Sequence, residues 1–182
     1  MDDSLEGQFL VATPTLTDPN FSRTVVLICE HSDQGALGVV LNRPAEVSVG
    51  EAAPGLADGT DPDDPLWVGG PVKQDGVLVL VEWRNPPPSA QLVIGAVGVL
   101  AEEDEVADLP DLAARVRGFA GFAGWGPGQL DGEIEDDGWV LAPATADDVF
   151  TIDPENLWGD VLRRMGGTYA LLATMPEDPS VN

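Results

Sequence analysis

Arg23, Asn42, Arg43 and the pair Gly69-Gly70 are the residues of this chain best suited to bind something. Cations are scarce: Arg23 and Arg43 are two of only eight lysines and arginines. A guanidinium presents a planar fork of donors that matches a carboxylate or a phosphate. Gly69-Gly70 with Pro71 and Val72 offers bare backbone amides that can form a concave anion nest. If the two segments adjoin in space, they make one small-anion pocket. Each also has a purely architectural reading. An arginine at a strand end can hold Asp18, Glu30 or a backbone carbonyl, and a Gly-Gly turn can simply require positive φ.

Proton-transfer groups are few. Glu30 and His31 adjoin, and His31 is the single histidine. Either could act as a general base if it shared a pocket with Arg43. Glu30, His31 and Asp33 crowd one turn, but no second histidine or cysteine pair completes a tetrahedral set, so no metal is expected. Cys29, inside an apolar run, reads as inert core. Ser22, Ser32 and Ser48 lack a nucleophile-elbow context. Residues 124–130 (GWGPGQL) match neither phosphate-binding glycine pattern, so no nucleotide and no other cofactor is expected. Trp125 is assigned there to the core, and Gln129 to a hydrogen bond with a loop.

These residues need elements to position them. Residues 25–29 (VVLIC) are apolar on both faces, the pattern of an interior strand. Residues 35–41 make the next strand, stopped by Pro44. Further strands are expected at 8–12, 66–72, 76–83, 91–101, 119–125 and 139–144. Residues 49–53 fit a short helix. Residues 108–118 fit a longer one, with apolar positions at i, i+3, i+4 and i+7, Pro110 in the first turn and Gly118 past the end. A short helix should begin within 126–134, with Pro127 in its first turn. Residues 153–166 make another, capped by Asp153 and closed by Gly166. Residues 168–173 form a last apolar run. The acidic run 102–105 reads as a solvated loop, residues 1–175 as one domain, and 176–182 as a flexible tail. Strands outnumber helices and do not alternate with them, which argues for an α+β fold.

The charge balance excludes some partners. Against the eight cations stand 32 acidic residues, a formal net charge of −24. A polyanion binder needs cations to release counterions, so non-specific nucleic-acid binding is not expected. No apolar run reaches the ~20 residues that span a bilayer, and the N-terminus lacks a basic signal-peptide region. One cysteine fits a reducing, cytoplasmic setting.

Several segments together resemble the YqgE/AlgH family of bacterial proteins. They are Asp18-Pro19 with Phe21 and Arg23, Glu30-His31, Gly35-Ala36, Asn42-Arg43-Pro44, Gly69-Gly70-Pro71-Val72, Gly124-Trp125 with Gly128-Gln129-Leu130, and Trp139 and Trp158. The resemblance implies a bifurcated, barrel-like mixed sheet flanked by helices in a cytosolic bacterial protein. It implies no agreed reaction. One branch is named for regulation of alginate synthesis, hence the label of transcriptional regulator, although the charge of this chain opposes DNA binding. The family's strand after Gly-Gly-Pro-Val usually carries a Leu-His pair; here it reads VLVLVEW, without histidine.

Two functional expectations follow. The first is a non-catalytic binding or regulatory protein, acting on an unidentified protein partner or a small anion. The alternative is an enzyme or sensor for a small anion, held by Arg23 and Arg43, with Glu30 or His31 as base.

Overall fold

The computed structural model describes residues 4–101 and 106–176. The chain runs β1 (Gln8–Ala12), β2 (Val25–Ser32), β3 (Gly35–Val40), β4 (Pro44–Ser48), α1 (Val49–Ala52), β5 (Pro65–Val68), β6 (Val72–Trp83), β7 (Gln91–Ile94), β8 (Val97–Val99), α2 (Leu109–Leu112), β9 (Ala113–Trp125), α3 (Gln129–Glu135), β10 (Trp139–Pro143), α4 (Ala146–Val149), α5 (Pro154–Met165) and α6 (Gly167–Leu172). Ten strands form one mixed sheet in the order β10-β1-β2-β3-β9-β6-β8-β7, with β5 branching from β9 and β4 beyond it. The sheet is open, and β5 on β9 is its one parallel pairing among the described residues. This is the α+β architecture with a bifurcated sheet that was expected.

β2 is the interior strand that its composition calls for. Val25, Leu27 and Cys29 enter one core cluster, with Phe9, Phe119 and Trp158. Val26 and Ile28 enter the opposite cluster, with Trp125 and Trp139. Alternation at period two delivers successive side chains to opposite faces. Each such buried side chain contributes about 1.5–3 kcal/mol.

The fork lies in β9. Its end (Ala123 to Trp125) pairs with β3. Phe119 and Ala120 pair with β5. The other edge of β9 runs along β6. Gly121, at φ 72°, sits where the strand passes between these partners.

The stretch 108–118 departs from the helix its spacing suggests. Only one turn forms, α2, and the chain becomes β9 at Ala113. The reason is tertiary. Arg115 lies directly across from Glu82 on β6, and its guanidinium grips that carboxylate with bonds of 2.7 and 3.3 Å. Long-range pairing outweighs a helical preference worth tenths of a kcal/mol per residue. Pro44 starts β4 rather than merely ending β3, since an edge strand tolerates proline at its first residue. The run 168–173 is largely helical, in α6. Pro127 precedes α3, whose N-terminal boundary is Gly128 at φ 72°. α5 matches its expected span, but Asp153 binds the Asn156 amide at 2.9 and 3.1 Å instead of a backbone N–H. The acidic run 102–105, and the tail from 177 onward, lie outside the described residues. Among the described residues, no helix is long and apolar enough to cross a membrane.

Candidate functional site

Arg23, Asn42 and Arg43 do come together, around the loop that enters β2. Asn42 acts as a strand surrogate. Its Oδ1 accepts from Val25 N–H at 3.1 Å and its Nδ2 donates to the Arg23 carbonyl at 2.9 Å. That continues the ladder one step past the bond from Leu41 N–H to the Val25 carbonyl. Arg43 donates Nη1 to the Pro19 carbonyl at 2.5 Å and Nη2 to the Ser22 carbonyl at 2.8 Å. Burial lowers its pKa from the ordinary guanidinium value, and Asp18 opposes that shift. Arg23 has a left-handed backbone, φ 56°. Its guanidinium lies 4.5 Å from the Trp158 ring centre and donates to the Met175 carbonyl. Trp158 in turn donates to the Ala12 carbonyl at 2.8 Å. Both guanidinium groups therefore serve backbone carbonyls, the architectural reading of these side chains.

Gly69 and Gly70 adjoin Asn42-Arg43 through the backbone. Val40 N–H donates to the Gly69 carbonyl and Val68 N–H to the Arg43 carbonyl, both at 2.8 Å. The Gly69 amide is spent on the Ala120 carbonyl at 2.9 Å. A Cβ at Gly69 would lie 2.4 Å from the Gly121 carbonyl oxygen, and one at Gly70 would lie 2.1 Å from the Phe122 carbonyl carbon. Pro71 then leads into β6. The glycines thus let two backbones meet at the fork in the sheet, a demand that only a missing Cβ satisfies.

Glu30 and His31 sit at the other end of the hairpin. Val25, which adjoins Asn42, lies six residues from His31 along β2, about 20 Å at ~3.3 Å per residue. The structure does not bring either of them to Arg43. His31 Nδ1 accepts from Leu5 N–H at 3.0 Å, which leaves the ring proton on Nε2, 3.6 Å from Asp131. Cys29 falls at a bulge between Ile28 and Glu30. Burial, reinforced by Glu30 and Glu6, pushes its thiol up to about 12.

Gln129 takes the role expected of it. Its Oε1 accepts from Gly126 N–H at 3.0 Å, and its Nε2 donates to Glu133 at 3.0 Å. Glu133 is the residue missed there. One oxygen accepts the indole N–H of Trp139 at 3.1 Å and of Trp125 at 3.3 Å. Phe21 packs on both indoles. A second omission is Arg117, which lies 4.2 Å from the Trp67 ring centre and donates to the Thr151 carbonyl at 2.8 Å. Burial lowers its pKa to about 10.

The concave surface lies elsewhere. A groove of about 480 Å³ opens where β3, β6, β8 and β9 converge, walled by Leu37, Val77, Leu78, Val99 and Phe122. Among the described residues, Lys73 is the one ionisable side chain on its wall. A second cavity of about 310 Å³ shares Leu37, Leu78 and Val99 with it and is lined also by Glu6 and Glu30. Small-molecule sites typically run from about 300 to 1,000 Å³ and are mostly apolar with a few placed polar groups. The sequence signal for this groove was present: β6 carries more apolar residues than one buried face needs, and Val77 remains 41% exposed.

Comparison with known proteins agrees with this fold. The model of the AlgH-like family (DUF179) matches residues 9–170. A UPF0301 protein of Streptomyces coelicolor is 43% identical, over 98% of this chain and 96% of its own. Another, from Chlorobaculum tepidum, is 39% identical, over 97% and 95%. A crystal structure of a Corynebacterium diphtheriae protein superimposes with a TM-score of 0.84 at 30% identity, covering 96% of this chain and 93% of that one. The solution structure of AlgH from Pseudomonas aeruginosa does so with 0.74 at 30% identity, covering 97% and 96%. A family match across most of the chain, full-length relatives near 40% identity and a shared fold lead to one conclusion: this chain belongs to the AlgH-like family.

Proposed function

We propose that this protein is a non-catalytic binding protein, regulatory through what it binds, and that the apolar groove between β3, β6 and β8 is its site. The observation that carries this is the groove itself: a volume suited to a small molecule, apolar walls and, among the described residues, one cation. Water in such a cleft is released on occupancy, at about 25 cal/mol per Å² of apolar surface covered. The reading also draws support from the arginines and glycines of the Asn-Arg-Pro and Gly-Gly-Pro segments, whose donors are engaged with backbone carbonyls.

The test is a fluorescence titration with the uncharged apolar probe N-phenyl-1-naphthylamine, on the wild type and on Val77→Glu. Val77 is partly exposed on the groove wall, so a carboxylate there should leave folding intact. Saturable binding to the wild type, weakened about tenfold or more in Val77→Glu at unchanged melting temperature, is expected. Absence of saturable binding, or equal binding by both proteins, would overturn the reading.

A further inference from the structure

Lys73 is the chain's single lysine, and its placement is unusual in three respects. Its backbone is left-handed, φ 49°, a conformation that residues with a Cβ adopt rarely. It begins a wide bulge: Val72 pairs with Phe122 and Val77 with Ala120, so four residues of β6 oppose only Gly121. Bulges of this kind re-aim a side chain next to functional sites. Finally, Lys73 stands on the wall of an apolar groove. The bulge is held in place, since Gln74 Nε2 donates to the Gly70 carbonyl at 3.2 Å, and a Cβ on Gly121 would meet Gly70 O at 2.5 Å and Val72 O at 2.9 Å. The other two non-glycine residues with positive φ among the described residues have partners that explain them. Arg23 is tied to Met175 and Trp158, and the Asp137 carbonyl accepts from Thr13 Oγ1 at 2.6 Å. The Lys73 ammonium forms no ion pair among the described residues.

We propose that the groove takes a single-chain apolar carboxylate, with its acid head on Lys73 and its tail running along Leu37, Leu78 and Val99 into the second cavity. The proposal rests on the groove being a binding site and adds the class of ligand. Charge fixes the orientation. In a chain of net charge −24, the one charged side chain among the described residues of the groove wall is a cation, Lys73, whereas the second cavity has the carboxylates of Glu6 and Glu30 on its lining. An acid head is attracted at the first end and repelled at the second. The two cavities share Leu37, Leu78 and Val99 on their walls, an adjacency that suits an extended chain rather than a compact ring system.

The experiment compares parinaric acid with its methyl ester, which has the same fluorescent chain and no charge, on the wild type, Lys73→Asn and Lys73→Arg. Asparagine tolerates the left-handed backbone, so the first variant removes the cation without demanding a new conformation. The acid should bind the wild type at least tenfold more tightly than the ester. Lys73→Asn should bind the two alike, and Lys73→Arg should retain the preference. Equal binding of acid and ester by the wild type, or a preference that survives in Lys73→Asn, would overturn the lysine proposal while leaving the groove as a site. Binding of neither would count against the groove reading itself.

Discussion

The indole N–H of Trp139 lies 3.1 Å from a carboxylate oxygen of Glu133, and that oxygen also receives the indole N–H of Trp125. Both rings are buried. Glu133→Ala leaves two buried donors unpaired, which should destabilise the protein by about 2–4 kcal/mol. Glu133→Gln keeps an acceptor and should cost less than half as much. Urea unfolding at neutral pH measures both. Equal stabilities for wild type and Glu133→Ala would show that the network contributes nothing.

Trp83 provides the contrast. Its indole N–H is buried with no partner among the described residues. Trp83→Phe therefore relieves an unsatisfied donor while opening a small cavity, and the two effects should nearly cancel, within about 1 kcal/mol. Trp139→Phe, which also strands part of the Glu133 carboxylate, should be the more damaging by urea unfolding.

Gly69 and Gly70 separate fork packing from ligand binding. Gly70→Ala drives a Cβ into the Phe122 backbone at 2.1 Å, and should cost about 3 kcal/mol or more, or prevent folding. Gly55→Ala, with nothing within 4 Å of the added carbon, should change stability by less than about 1 kcal/mol. Thermal melts of the two variants check this. A well-folded Gly70→Ala of wild-type stability would contradict the account of the fork.

Arg43→Ala should loosen the loop before β2 rather than abolish a ligand. Two carbonyls, of Pro19 and Ser22, lose their donors, for about 1–3 kcal/mol. Hydrogen exchange should accelerate at Phe21, Ser22 and Thr24, whose amides close that loop onto Asp18 and Phe21. Unchanged exchange there would mean the arginine holds something else.

Cys29 gives a pH dependence with a definite sign. Burial raises its folded pKa to about 12, above the ordinary thiol value of 9.0. Between those values the unfolded chain loses the thiol proton while the folded chain keeps it. Stability from this group is thus fully present below about pH 9 and is lost as pH rises towards 12. Cys29→Ala should flatten the fall in stability across that window, as followed by urea midpoints. An unchanged slope would contradict the assignment.

Much of the fold was legible because it rests on local pattern. The two-faced apolar run of β2, the Asn-Arg-Pro exit and the apolar stripe of α5 each declare their structure in order. β9 did not, because Leu109, Leu112, Ala113 and Val116 follow helical spacing while the partner that makes Ala113 onward a strand, Glu82 on β6, lies 33 positions before Arg115. The site was harder still. Arginine and paired glycines look like ligand chemistry in a sequence, but which carbonyls they serve is decided by the fork in the sheet. The groove shows in the sequence only as the surplus of apolar residues in β6: Leu37, Leu78, Val99 and Phe122 read as core until the open sheet leaves one end of them uncovered. Lys73 showed only as the single lysine, since its left-handed backbone depends on a bulge between non-neighbouring residues.

The most direct measurement of the central claim is an amide ¹H–¹⁵N correlation spectrum of the protein titrated with parinaric acid. The account predicts shifts centred on Leu37, Lys73, Leu78, Val99 and Phe122, with Arg23, Asn42 and Arg43 unmoved. Shifts centred instead on residues 18–24 and 42–44 would contradict it and return the site to the arginines.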